Sequence, residues 1–390
     1  MRARRRFTLV LGLFVAFRLS LLFFWPADEL ARWSDYDYYY RLASWVDEGK
    51  LPYLHYWVEY PPLFPYLSVL IYLIAPRFET YAAVLALVQL LCETGSLVLL
   101  HRIARRTLSE PWAEQTAWAY ALLFAPLATW WLSFDAIATF FLLLSIERWL
   151  AGRRTASALA AGAGGLVKWF PLLFLPAAVK FRRSWRQATA YALTALLTVA
   201  LVLGLLAAFS PTYTIASLRS LEQRASWQTI WALLDGNLST GAYQANRLDP
   251  AAAGFAQGEP AAVPTWLTTL LFGGVYVWLW LRVRAHEGPR QPVRFVTLTV
   301  LLFFLWSRGW SPQWLGMLCP LVLLSLPLER GLLYLVVLTF VNIAEWPVLL
   351  SRGMNQWLYL TVPLRAALFV LLSVDLCRRM KVQPAPSRSG

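Results

Sequence analysis

Residues 155–180 read TASALAAGAGGLVKWFPLLFLPAAVK, and the placement of this stretch decides the fold. It is apolar and long enough to cross a bilayer, which takes about 20 residues. Yet both of its flanks are basic, Arg153–Arg154 before it and Lys180 to Arg186 after it. Lys and Arg collect in cytoplasmic loops, so both ends belong on one side and a single crossing is excluded. Gly162, Gly164, Gly165 and Pro171 interrupt the middle, where a continuous helix would be weakest. The stretch therefore reads as two half-length helices forming a re-entrant hairpin, with Lys168 at the apex. Irregular backbone at that depth is tolerated only where protein or a water-filled cavity surrounds it. A cavity is expected here.

The rest of the chain agrees with a membrane setting. Of 390 residues, 59% are hydrophobic and 14% charged, with mean hydropathy +0.52, where a soluble chain carries about a quarter charged residues. The 21 Trp and 17 Tyr suit headgroup level. A formal charge of +14 raises the question of nucleic acid. The basic residues, however, lie in short clusters between apolar runs, which is the form of topology signals, so no nucleic-acid partner is expected. Cys92, Cys319 and Cys377 fall in or at the ends of apolar runs, which excludes a disulfide framework or zinc spacing. The run after the basic Met1 to Arg6 reads as a retained first span, residues 7–25.

Further apolar runs lie at 61–75, 81–100, 113–131, 134–150, 187–209, 263–282, 293–307, 313–327, 331–349 and 357–377. If 61–75 also crossed fully, the cluster Arg102 to Arg106 would sit outside. That run is short and bracketed by prolines, so it is read as a helix in the outer leaflet. The expectation is an all-α polytopic membrane protein of about 11–12 transmembrane helices with outer-leaflet juxtamembrane helices and a re-entrant hairpin. It forms a single transmembrane domain, 1–377, with a first outer loop at 26–80 and a second at 210–262. The tail 378–390 is expected to be cytoplasmic and disordered, and both termini cytoplasmic. Most of the acidic residues, including Asp35, Asp37, Glu59, Asp135 and Glu345, fall on or near the outer side, so any chemistry is expected there.

The first outer loop holds Trp33-Ser34-Asp35-Tyr36-Asp37-Tyr38-Tyr39-Tyr40-Arg41 and ends at Glu59-Tyr60-Pro61-Pro62-Leu63. Apolar and aromatic residues at 36, 39, 40, 43 and 46 follow helical spacing and predict an amphipathic helix with Asp35 and Asp37 at its N-terminus. Ser34 with Asp37 three residues on also resembles a capping box. Two carboxylates and a Tyr run on an outer-leaflet helix are more than a cap needs.

These motifs make the chain recognisable. Asp35-Tyr36-Asp37, the turn Gly49…Pro52-Tyr53, and Glu59-Tyr60-Pro61-Pro62-Leu63 resemble the polyprenyl-phosphate-sugar-dependent glycosyltransferases of the GT-C fold. The resemblance is closest to the bacterial family 87 enzymes, which include mannosyltransferases, and more distant to GPI mannosyltransferase I. Phe134-Asp135, Gly165-Leu166-Val167-Lys168-Trp169-Phe170-Pro171 and Ser311-Pro312-Gln313-Trp314 agree in order and sidedness, over about residues 7–327.

The resemblance implies inverting transfer of a hexose, mannose by family weighting, from a polyprenyl-phosphate sugar to an acceptor hydroxyl on a glycolipid, glycan or protein. The setting implied is the bacterial plasma membrane, with the site on the periplasmic or extracellular side and membrane lipids as further partners. Such chemistry needs a carboxylate base, cationic or hydrogen-bonding groups for the departing phosphate, and a groove for the lipid. Asp35 is the first choice for the base because the family's first-loop Asp is followed by a Tyr four residues on, as Tyr39 is here. Asp37 is second, and the Asp-x-Asp form leaves the assignment open. Lys168 is either a phosphate ligand or a snorkelling lysine. Arg308 is either a second phosphate ligand or an interfacial arginine, and Gln313 joins them on the same side.

Asp135 either caps a helix or orients a sugar hydroxyl. Tyr39, Glu59, Tyr60, His55 and Glu345 complete the sugar- or acceptor-binding candidates, with His55 as readily a plain loop histidine. Trp227, Trp231, Asp235 and Asn237 are further sugar-lining candidates to which no role is assigned. Asp35 and Asp37 supply only two of the several oxygen ligands a hard divalent cation takes, so no metal and no other cofactor is favoured. No Walker loop or dinucleotide fingerprint is present, which argues against a nucleotide-sugar donor. A flippase or transporter of lipid-linked sugars is the alternative, but broken helices in matching halves are not seen.

Overall fold

The computed structural model describes residues 2–131, 133–221, 224–239, 245–255, 258–283 and 288–380. The α-helices are α1 (Arg2–Phe24), α2 (Ala27–Trp33), α3 (Tyr36–Ser44), α4 (Leu63–Ile74), α5 (Phe78–Thr107), α6 (Glu110–Leu122), α7 (Phe124–Thr129), α8 (Asp135–Leu150) and α9 (Arg154–Gly165). They continue with α10 (Leu175–Lys180), α11 (Trp185–Phe209), α12 (Pro211–Arg219), α13 (Ile230–Asp235), α14 (Thr265–Arg282), α15 (Gln291–Trp306), α16 (Trp314–Ser325), α17 (Leu328–Ile343) and α18 (Leu358–Arg379). The chain is an all-α polytopic membrane protein. Among the described residues, Arg6–Phe24, Phe78–Thr107, Trp185–Phe209, Leu328–Arg352 and Asn355–Arg379 are long and apolar enough to cross a bilayer. Large apolar side chains such as Phe17, Leu201, Leu270, Leu281 and Phe340 stand exposed on the outer faces. Such a surface is stable against lipid rather than water.

The 155–180 stretch does reverse. The Ser157 hydroxyl, near its start, lies 3.0 Å from the Tyr191 hydroxyl of α11. The Phe174 ring, in a 3-10 turn after the apex, packs at 6.2 Å from the ring of the same Tyr191. The glycines allow the close return. A Cβ on Gly164 would stand 2.6 Å from Phe141 and 2.7 Å from Pro171, and one on Gly165 would stand 2.8 Å from Leu172. The apex is tied to the start of α4, where the Leu63 N–H donates to the Leu166 carbonyl at 2.8 Å. The 61–75 run is the short helix α4, as its prolines predict.

Two expected spans differ from their readings. Residues 113–131 form α6 and α7, parted at Leu123, whose ψ of 132 is extended. Pro126 has no N–H and its ring crowds the carbonyl four residues back, at Leu122, where α6 ends. Likewise α17 stops at Ile343, four residues before Pro347, and a kinked turn, Ala344–Leu349, carries the chain on. At the C-terminus α18 includes Arg378 and Arg379, so the helix outlasts the expected boundary at 378, and 381–390 lie outside the described residues.

Within the bundle α5 packs on α8, α8 on α9, and α9 on α11, while α16 contacts α5, α6, α7 and α8. An ion pair pins α1 to this core. The Arg18 guanidinium lies 3.7 Å from Glu93 of α5, both side chains buried, and the Tyr120 hydroxyl donates to the same carboxylate at 2.9 Å. Removing one partner of a buried pair strands the other charge and costs about 3–5 kcal/mol, whereas replacing both with apolar residues is often neutral. Glu93→Leu should therefore lower the melting temperature of the detergent-solubilised protein sharply. The double change Arg18→Met/Glu93→Leu should recover most of that loss in the same thermal scan.

Candidate active site

A cavity of about 1110 Å³ opens between the 32–61 segment, the hairpin apex, the 224–228 segment and the 303–314 turn. Its wall includes Asp35, Tyr39, Glu59, Tyr60, Asp135, Lys168, Arg308 and Gln313. Asp37, His55 and Glu345 are not part of that wall.

Asp35 stands at the N-terminus of α3 without capping it through its side chain. Ser34 does that instead, its hydroxyl accepting from the Tyr36 N–H at 3.2 Å. The Asp35 Oδ2 accepts from the Tyr39 hydroxyl at 3.1 Å. The Tyr39 ring is wedged edge-on against Phe64 at 4.8 Å and Tyr60 at 5.8 Å. Asp35 is exposed, but its exposure is to the cavity, whose wall surrounds the carboxylate and limits its hydration. This enclosure raises its carboxyl to about 6, against the Tyr39 hydrogen bond and the charges of Lys168 and Arg224, with Asp135 adding to the rise. Asp37, two residues on, turns away and pairs with Arg41 at 2.9 Å on the exposed face.

Lys168 extends from the hairpin apex into a box of aromatic rings, 5.1 Å from the centre of Phe134, 5.2 Å from Phe170 and 5.5 Å from Trp314. Its ammonium donates to Asp135 Oδ1 at 2.6 Å, and the other Asp135 oxygen accepts from the Ser133 hydroxyl. Asp135 is thus the counter-ion that aims Lys168 as well as the first residue of α8. Arg308 is aimed in the same manner, paired with Asp235 at the end of α13 and donating to the Val263 carbonyl at 3.2 Å.

Glu59 is buried between Arg247, at 2.8 Å, and the Tyr38 hydroxyl, at 3.0 Å. It ties the segment before α4 to the one after α13, where Trp57 Nε1 also donates to the Asp249 carbonyl at 2.9 Å. The Tyr60 ring lines the cavity against Phe134 at 4.9 Å. His55 Nδ1 accepts from the Leu51 N–H at 3.0 Å within its own turn. Glu345 is buried against Arg365 of α18 at 2.5 Å.

The sequence assigns no role to Arg224, Trp227, Gln228, Trp310 and Trp314, which all line the cavity, although Trp314 stands in the Ser311-Pro312-Gln313-Trp314 motif. Arg224 stacks on Trp227, 3.9 Å from the ring centre. A signal was present. Arg224, Arg247 and Arg308 lie in segments assigned to the side where topology signals thin out basic residues. Among the described residues no group of three or more His, Cys, Asp or Glu side chains is placed to hold a metal.

The sequence profile of glycosyltransferase family 87 matches residues 57–308, more than half of the chain. The chain belongs to glycosyltransferase family 87. The match spans Asp135, Lys168 and Arg308 but begins after Asp35, so the place of Asp35 in this family 87 chain rests on cavity geometry. No curated protein matches the chain. Among solved structures, ArnT from Cupriavidus metallidurans bound to undecaprenyl phosphate is similar at 15% identity and a TM-score of 0.49, over 95% of this chain and 77% of that one. The apo form of ArnT is similar at 15% identity and a TM-score of 0.48, with the same coverage.

Proposed function

We propose that this membrane glycosyltransferase moves a hexose, mannose by family weighting, from a polyprenyl-phosphate sugar to an acceptor hydroxyl at the non-cytoplasmic face. The observation that supports this reading is one cavity carrying both a carboxylate raised to about 6 and an ammonium held in an aromatic box. In the reaction Asp35 takes the proton of the acceptor hydroxyl as its oxygen attacks the anomeric carbon. The bond from that carbon to the phosphate oxygen breaks with inversion, and the polyprenyl phosphate leaves with the electron pair. Lys168, aimed by Asp135, meets the charge growing on that phosphate, with Arg308 and Gln313 beside it. Phe303, Trp306 and Trp169 offer the cavity's greasy side to the lipid.

No metal enters this scheme, because Asp35 and Asp37 turn to different faces and do not converge on one ion. The acceptor belongs to a glycolipid, a glycan or a protein. The protein sits in the bacterial plasma membrane with both termini cytoplasmic. The test is transfer of radiolabelled sugar by purified protein from polyprenyl-phosphate mannose, glucose and galactose to a membrane glycolipid extract. Release of polyprenyl phosphate in step with product is expected, and no transfer from any of the three donors would contradict the reading.

A further inference from the structure

Glu345 and Arg365 do not line the cavity, yet they touch what shapes it. Their side chains are 2% and 3% exposed and pair at 2.5 Å. Arg365 also donates to the Gln228 carbonyl and lies 4.9 Å from the centre of the Trp310 ring. Gln228 and Trp310 sit on two segments that form one wall. The Trp227 N–H donates to the Arg308 carbonyl at 2.9 Å, and the Trp310 N–H donates to the Trp227 carbonyl at 3.1 Å. Trp227 lies so close on Gly309 that a Cβ there would be 2.1 Å from the indole. Gln228 itself has φ +50, a left-handed conformation that a residue with a side chain holds only where its surroundings impose it. The Arg365 grip on its carbonyl is such an imposing contact, and Glu345 keeps the guanidinium forked toward it.

We infer that Glu345 and Arg365 are positioning residues, a buried latch that fixes the 226–229 and 308–310 segments against each other and so sets the place of Arg308 in the cavity. The inference rests on the reading of this cavity as the transfer site. A latch of this kind need not touch substrate, since an error of about 1 Å in placement can cost a hundredfold in rate.

The experiment uses the full chain in detergent as wild type, Arg365→Lys, and the double variant Arg365→Met/Glu345→Leu. Melting temperature, hydrogen exchange at the Trp227 and Trp310 amides, and kcat and KM for the polyprenyl-phosphate sugar are measured on each. The expected result is a melting temperature near wild type in both variants, because each leaves no stranded charge. The two amides exchange about tenfold or more faster, and kcat/KM falls about a hundredfold. Wild-type exchange at both amides would overturn the latch, whatever the activity. So would wild-type kcat/KM in the double variant. If the double variant does not fold, Arg365→Lys decides by the same two readouts. Should the wild type transfer no sugar, the proposed function fails, and the exchange measurement alone decides the latch.

Discussion

Asp35→Asn lowers kcat for sugar transfer by about 10²–10⁴-fold, the usual contribution of a positioned general base, and leaves the melting temperature nearly unchanged. The amide oxygen of Asn still accepts the Tyr39 hydroxyl that now binds Asp35 Oδ2, so the aromatic cluster keeps its packing. What is lost is the ability to take a proton. Asp37→Asn is the matched control. Its carboxylate pairs with Arg41 on the exposed face, where ion pairs contribute little, and turnover should stay within about twofold of wild type. Parallel kinetics on the two variants separate the halves of the Asp-x-Asp motif, and equal loss in both would show that Asp35 and Asp37 do not differ in role.

The second large effect belongs to Lys168. Lys168→Met should lower kcat by about 10²–10³-fold, as deletion of one donor to a developing anion does. It also strands the Asp135 carboxylate, which now holds the Lys168 ammonium at 2.6 Å in a buried setting. A stability loss of about 3–5 kcal/mol follows from that stranded charge. Lys168→Met/Asp135→Asn should recover the stability in a thermal scan, yet leave turnover as low as in the single variant. Recovery of turnover together with stability would show that Lys168 serves only to balance Asp135.

The parts legible in the sequence were those encoded by nearby residues. Gly164, Gly165 and Pro171 lie inside the stretch they break, and its basic flanks at both ends predict that it doubles back rather than running straight on. The same local logic reads α4 as a short helix and places an amphipathic helix after Ser34. The break at Leu123 was also local, since Pro126 was in view, but the apolar run 113–131 masked it.

The division of labour between Asp35 and Asp37 was out of reach because it depends on which face of α3 meets the cavity. Residues two apart on a helix point to nearly opposite sides, and spacing alone does not say which side is occupied. Glu59 and Glu345 illustrate another limit. Each has the look of a site carboxylate, but an arginine on another element claims it, Arg247 for Glu59, 188 residues on, and Arg365 for Glu345, 20 residues on in α18. The pairing of Arg308 with Asp235, which lie on opposite sides of α14 and α15 in the chain, was equally hidden.

The central claim, that Asp35 is the base, is tested most directly by the pH dependence of kcat/KM for transfer from the polyprenyl-phosphate sugar. A base must be ionised to act, and the Asp35 carboxyl, open to the cavity but desolvated by its wall, is raised to about 6. The rate should therefore be level above about pH 7 and fall through a limb near pH 6, losing about tenfold for each further pH unit. Asp35→Asn should lack that limb in whatever activity remains. A wild-type profile that stays flat from about pH 4.5 to 7.5, or a limb near pH 6 that survives in Asp35→Asn, would contradict the account.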